Sequence, residues 1–202
     1  FSHPDPTVKR RSGLMAPNLT NSSTLGSGFG LPYFWNIAED RDLTFTPKLY
    51  LTENPLMLVE YRQDFKNSFL IMDTGYTQGY KQKDKKKTKG GRAHFFANLN
   101  VDLINEKEIN SNLELNIQKA SNDTYLKIYD IDTILVDKNQ NILENYVDFT
   151  YRNKDFFFGL SPSFYEDMNK LGHLRNEYLL PLNIEKDIMI SKKYGLLNLD
   201  SK

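Results

Sequence analysis

The chain has 202 residues with 26 basic and 26 acidic side chains, so its formal charge is zero, which excludes the basic footprint of a nucleic-acid binder. Its length suffices to bury a core as one domain, and the lack of cysteine excludes a disulfide framework or a thiolate metal site. No run approaches the roughly 20 apolar residues of a membrane helix, while 13% aromatic content at low overall hydrophobicity fits an alternating β-protein.

Residues 1–9 are proline-rich and read as an incoming linker. Ser12 to Pro17 predicts a first short strand, and Leu25 to Trp35 a second, with Gly26, Gly28 and Gly30 on one parity. Each of these strands is interrupted by a proline, Pro17 or Pro32. Proline has no N–H to give a ladder, so the pair predicts a weakly zipped sheet edge. From Asp42 to Thr52, Leu43, Phe45, Leu49 and Leu51 alternate with Thr44, Thr46, Lys48 and Tyr50, the period of a two-faced strand. Leu56 to Gln63 returns, and Ser68 to Tyr76 follows. Gln78 to Arg92 is dense in lysine and predicts a solvated loop, with contact to anionic sugar phosphates as the functional alternative. Ala93 to Leu103 and Asn112 to Gln118 alternate again. Ser121 to Gln140 is a long connection whose Tyr125, Leu126, Ile128, Tyr129, Ile131, Ile134 and Leu135 predict folding onto another surface. Strands are expected at Ile142–Arg152, Phe156–Tyr165 with Pro162, Tyr178–Ile184 with Pro181, and Asp187–Lys192. The stretch Glu166–Glu177 predicts a helical turn.

This is an all-β, antiparallel up-and-down meander of about ten strands. Alternation alone leaves two architectures open. In a soluble sandwich the apolar faces form a core; in a transmembrane barrel they meet lipid and the polar faces line a wet lumen. Connection lengths favour the barrel, with short turns at one end and most long loops at the other.

No enzymatic constellation is evident. His3, His94 and His173 are far apart, and His94, at a strand start, reads as a surface or lumen residue. Asp123, Asp130, Asp132 and Asp137 lack the spacing and central glycine of a calcium loop. The GSGFG run at 26–30 precedes no helix, so it does not predict a phosphate cradle. No metal and no cofactor is expected.

The runs PTVKRRSGLMAP, GLPYFWNIAEDRDLTFTPKLYL and EYRQ, followed by GRAHFFANL and SNDTYLKIY, resemble the barrel domain of the outer-membrane lipopolysaccharide-assembly (LptD, organic solvent tolerance) family. The resemblance is strong to about Arg62, collinear to Tyr129 and weak beyond. It implies that residues 10–202 are the first part of a larger transmembrane barrel in the bacterial outer membrane, truncated at both ends. It also implies a lateral gate at Pro17 and Pro32, and interface aromatics at Tyr33, Phe34 and Trp35. The implied partners are lipopolysaccharide, a lipoprotein plug in the lumen, and a periplasmic bridge protein on a missing N-terminal domain. The alternative without the resemblance is a soluble periplasmic or secreted β-sandwich binding module.

Overall fold

The structure, a computed structural model, describes residues 10–84, 87–191 and 195–201; the expected linker at 1–9 lies outside them. The strands are β1 (Gly13–Leu14), β2 (Asn18–Ser22), β3 (Gly26–Gly30), β4 (Tyr33–Ala38), β5 (Arg41–Tyr50), β6 (Leu56–Phe65), β7 (Ser68–Asp84) and β8 (Lys87–Asn105). They continue as β9 (Ile109–Ala120), β10 (Ile142–Asn153), β11 (Phe156–Leu160), β12 (Ser163–Asp167), β13 (Asn176–Leu179), β14 (Leu182–Ser191) and β15 (Gly195–Ser201). One helical turn, α1 (Tyr125–Ile128), lies in the connection between β9 and β10, and a 3₁₀ turn at Gly172–Leu174 lies in the stretch expected to be helical.

All these strands belong to one antiparallel meander that does not close on itself among the described residues. The wall runs β1-β4-β5-β6-β7-β8-β9-β10-β11-β14-β15, with β2, β3, β12 and β13 continuing strands that prolines have broken. Two stacked sheets, which a sandwich requires, are not what the described strands form.

The two faces differ in the way the sequence alternates. On β5, Lys48 is 7% exposed while its neighbour Leu49 is 40% exposed. On β8, Phe96 is fully buried while Phe95 is 42% exposed. The buried parity forms the inner face, covered at one end by the 121–141 connection. The opposite, outer face carries Phe45, Leu49, Met57, Tyr76, Phe95 and Val147 in the open. Period-two alternation puts every second side chain on one face, so the outer face becomes a continuous apolar surface.

The 121–141 connection folds inward as its apolar residues predict. Tyr125, Leu126, Tyr129, Ile131 and Val136 are buried against Tyr50, Leu56 and Phe96. Ile134 departs from that expectation and is 70% exposed. Gln118 Nε2 donates to Leu135 O at 3.1 Å and fastens the connection to β9.

The expected loop at 78–92 is a correction. Strands β7 and β8 run on as a hairpin to Asp84 and Lys87, with shifts of register beyond Thr77. Like charges require solvent around the lysine side chains, but they leave backbone bonds free to form. Gly79, at φ 78°, supplies the left-handed residue at the first shift.

Candidate functional site

The first two hairpin arms are broken at facing positions. Leu14 is paired with Tyr33, and Asn18 with Gly30, so residues 15–17 on one arm oppose residues 31–32 on the other. Met15 N donates to Pro32 O at 2.8 Å. In an extended residue N and C=O point to the same side, so the hydrogen-less Pro32 nitrogen also faces this seam and removes a rung. The next strand repeats the device. Leu31 N donates to Pro47 O at 3.2 Å, so Pro47 has no N–H to return. Three adjacent arms thus carry a proline at one level.

Below the break, the edge is pinned by charge. Arg10 NH1 lies 3.0 Å from Asp42 Oδ2, and Arg62 Nε lies 2.9 Å from Asp42 Oδ1. Asp42 is 3% exposed, so its two cations answer a charge that burial would otherwise disfavour. Above the break, Asn18–Ser22 pairs rung by rung with Gly26–Gly30.

Behind the seam, on the inner face, lies a polar cavity of about 360 Å³. Asn18 and Thr20 come from β2, Thr44, Thr46 and Lys48 from β5, Glu60 from β6 and Asp73 from β7; Pro32 lies at its mouth. Asp130, Ile131, Asp132 and Thr133 of the 121–141 connection roof it. Lys48 Nζ holds that roof by donating to Asp130 O at 2.8 Å and Tyr129 O at 3.3 Å. Asp130 has φ 50°, and the Lys138 ammonium bonded to it at 2.6 Å holds its carboxyl below the usual range. The Thr20 hydroxyl is buried with no partner.

Asp73 also belongs to a buried chain. Its Oδ1 is 2.6 Å from His94 Nε2, and His94 Nδ1 is 3.3 Å from the Tyr125 hydroxyl. His94 stacks on Phe96 with ring centroids 4.6 Å apart. His94 is therefore a core residue in mid-strand, not a surface one, because its parity on β8 points inward. Burial pushes the Tyr125 phenol well above its ordinary pKa, so it stays neutral.

The sequence-named aromatics divide between faces. Tyr33 and Trp35 are 40% and 51% exposed, level with Phe45 and Leu43 on the outer face. Phe34 pairs with Thr44 on the inner face, with Arg10 lying over its ring at 6.0 Å. Alternation forbids three consecutive residues from sharing an outer girdle.

The chamber offers hydroxyls, amides, carboxylates and one ammonium, groups that hydrogen-bond a polyhydroxylated guest. Among the described residues no cluster with metal-ligand geometry occurs. Of the two prolines named from sequence, Pro32 borders this chamber and Pro17 lies in the facing break; Asp42 and Asp73 were not singled out by sequence, and His94 was read only as a surface or lumen residue. Their partners lie 20 or more residues away, and only the strand register reveals them.

No family model matches the chain. It is 27% identical over 165 residues to the LPS-assembly protein LptD of Legionella pneumophila (strain Paris), covering 77% of this chain and 19% of that protein. The corresponding protein of Shewanella frigidimarina is 24% identical over 196 residues, covering 84% of this chain and 26% of the relative. That of Nitrosococcus oceani is 30% identical over 105 residues, covering 48% and 14%. The chain thus spans about a fifth to a quarter of the first two relatives. In its sequence, this meander is LptD-like along most of its length.

Proposed function

We propose that this chain is wall from an outer-membrane β-barrel that assembles lipopolysaccharide into the outer leaflet. The observation that carries it is the coincidence of three features at one place. The facing proline breaks remove rungs, a polar chamber lies directly behind them, and an apolar outer face lies in front. A guest with sugars on one end and acyl chains on the other needs that sequence of environments to pass sideways from lumen to lipid.

In this mechanism the sugar moiety rides in the hydrated lumen. The edge strand swings away above Arg10–Asp42, where rungs are missing, and the acyl chains move into the membrane. The chain performs no covalent chemistry, and the driving force comes from outside it. A lipoprotein plug in the lumen and a periplasmic bridge protein, docked on a domain that precedes the barrel, complete the assembly. Tyr33 and Trp35 sit at the membrane interface on the short-turn side, where aromatic girdles form.

The test is made in the full-length protein. Replacing both Pro17 and Pro32 with ladder-competent residues such as threonine restores two donors to the seam. Lipopolysaccharide arrival at the cell surface should slow several-fold with unchanged protein yield in the outer membrane. Arrival at the unaltered rate overturns the lateral gate.

A further inference from the structure

A second hairpin is broken by prolines. Strands β11 and β12 are one arm interrupted at Ser161-Pro162, and β13 and β14 are the other, interrupted at Leu180-Pro181. Val147 N donates to Pro162 O at 3.1 Å, and Ser161 N donates to Pro181 O at 3.1 Å. Each proline therefore turns a hydrogen-less nitrogen to a neighbouring strand, and two adjacent ladders lose a rung together. The Ser161 carbonyl left without its donor is satisfied instead by Ser163 Oγ at 3.0 Å.

On the outer face of this break lies an apolar groove of about 360 Å³. Leu115, Ile117 and Val147 form its floor, Pro162 and Leu179 its sides. Phe164 and Tyr178, their rings 4.9 Å apart, form a wall. No acidic or basic side chain lines it. The groove continues the outer apolar surface and lies toward the long-loop end of β10, away from the short turn at 154–155. One polar group in the lining is unmatched. Asn145 Oδ1 accepts from Gln118 N at 2.8 Å, which fixes the amide, while its Nδ2 is buried with no partner. A buried donor without an acceptor is costly and marks a place where an incoming carbonyl would be welcome.

We infer that this groove is a lipid site, taking one ester-linked acyl chain of outer-leaflet lipopolysaccharide, with the ester carbonyl accepting from Asn145 Nδ2. The chain lies along Leu115, Ile117 and Val147 between Pro162 and the Phe164–Tyr178 wall. The inference rests on the outer-membrane reading above, which places the long-loop end of the wall in the outer leaflet. It differs from the gate in position: the groove lies on β9, β10, β12 and β13, several strands along the wall from Pro17 and Pro32, and the lipid held there is resident rather than in transit.

The experiment uses the full-length protein in outer membranes, with a photoreactive residue in place of Tyr178 and, separately, in place of Phe95 on the same outer face. Adducts are resolved into lipopolysaccharide and phospholipid. Lipopolysaccharide crosslinking at position 178 should exceed that at position 95 at least fivefold, and Asn145→Leu should lower the yield at 178 while leaving 95 unchanged. Equal yields at the two positions, or phospholipid as the main adduct at 178, overturn the site while leaving the membrane wall intact. Absence of any lipid adduct at both positions overturns the membrane reading itself, and the site with it.

Discussion

At the scale of single residues, the most consequential contacts join strands to the 121–141 connection. His94 bridges Asp73 and Tyr125 while stacked on Phe96. Replacing His94 with alanine leaves the Asp73 carboxylate without its partner and opens a space beside Phe96. Because Asp73 also borders the chamber, water can meet part of its need, and the loss should be about 1–3 kcal/mol rather than that of a fully buried charge. Thermal unfolding of the detergent-solubilised protein checks this; a transition unchanged from the parent would refute it. Phe96, fully buried, should cost more, about 3–5 kcal/mol on replacement by alanine. Neither residue advertises its role in sequence. His94 sits among GRAHFFANL, where alternation fixes its face but nothing local names Tyr125 as its neighbour.

At the scale of elements, the connection behaves as a roof fastened to the wall by Lys48 and Gln118 and braced within itself by the Asp130–Lys138 pair. The Asp130 carboxyl is held below its ordinary range, so this ion pair supports the roof above the unfolded carboxylate pKa of about 4 and is lost as pH falls through the lower folded value. The pair is largely exposed and screened by solvent, so its share of the stability is small. Protease nicking within 129–138 should be flat from neutral pH down to about pH 4 and rise below it. Asp130→Asn, which tolerates the left-handed backbone, should nick at the same rate throughout. A parent profile without an acid limb would show that the pair does not hold the roof. Lys48→Met should raise nicking at every pH, since Tyr129 and Asp130 lose their buried donor. The inward folding of this element was readable from Tyr125, Leu126, Tyr129 and Ile131, apolar residues too many for a solvated loop. The β7–β8 hairpin was not readable, because a lysine run reports where side chains must go and says nothing about backbone pairing.

At the scale of the molecule, one sheet presents an apolar outer surface and a polar inner one, the inverse of a soluble protein's needs. Such a surface requires lipid or detergent. The full-length protein should partition with outer membranes and show a heat-shifted band on a gel. Residues 10–201 expressed alone should associate in plain buffer, since among the described residues the edges at β1–β2 and β15 are unpaired. A monomer indifferent to detergent would return the soluble binding module to favour. The strand count was legible from alternation at 42–52, 93–103 and 112–118. The chamber was not, because it is assembled from residues of β2, β5, β6, β7 and a connection more than 50 positions further on, and their meeting depends on register.

The offset at the first break has a further meaning. Leu14 faces outward beside Tyr33, while Asn18 faces inward beside Gly30 and Lys48, so odd and even positions exchange faces between residues 14 and 18. In a crystal this would be called a dislocation: an extra half-row that no change of atom type can anneal. Threonine at positions 17 and 32 restores donors but leaves three residues opposite two. Removing one residue from 15–17 would set two residues opposite two and make the rows continuous, with Leu14 still outward beside Tyr33 and Asn18 still inward beside Gly30. The looseness of this edge is therefore written into chain length as well as into proline, and substitution alone should stiffen the seam without closing it.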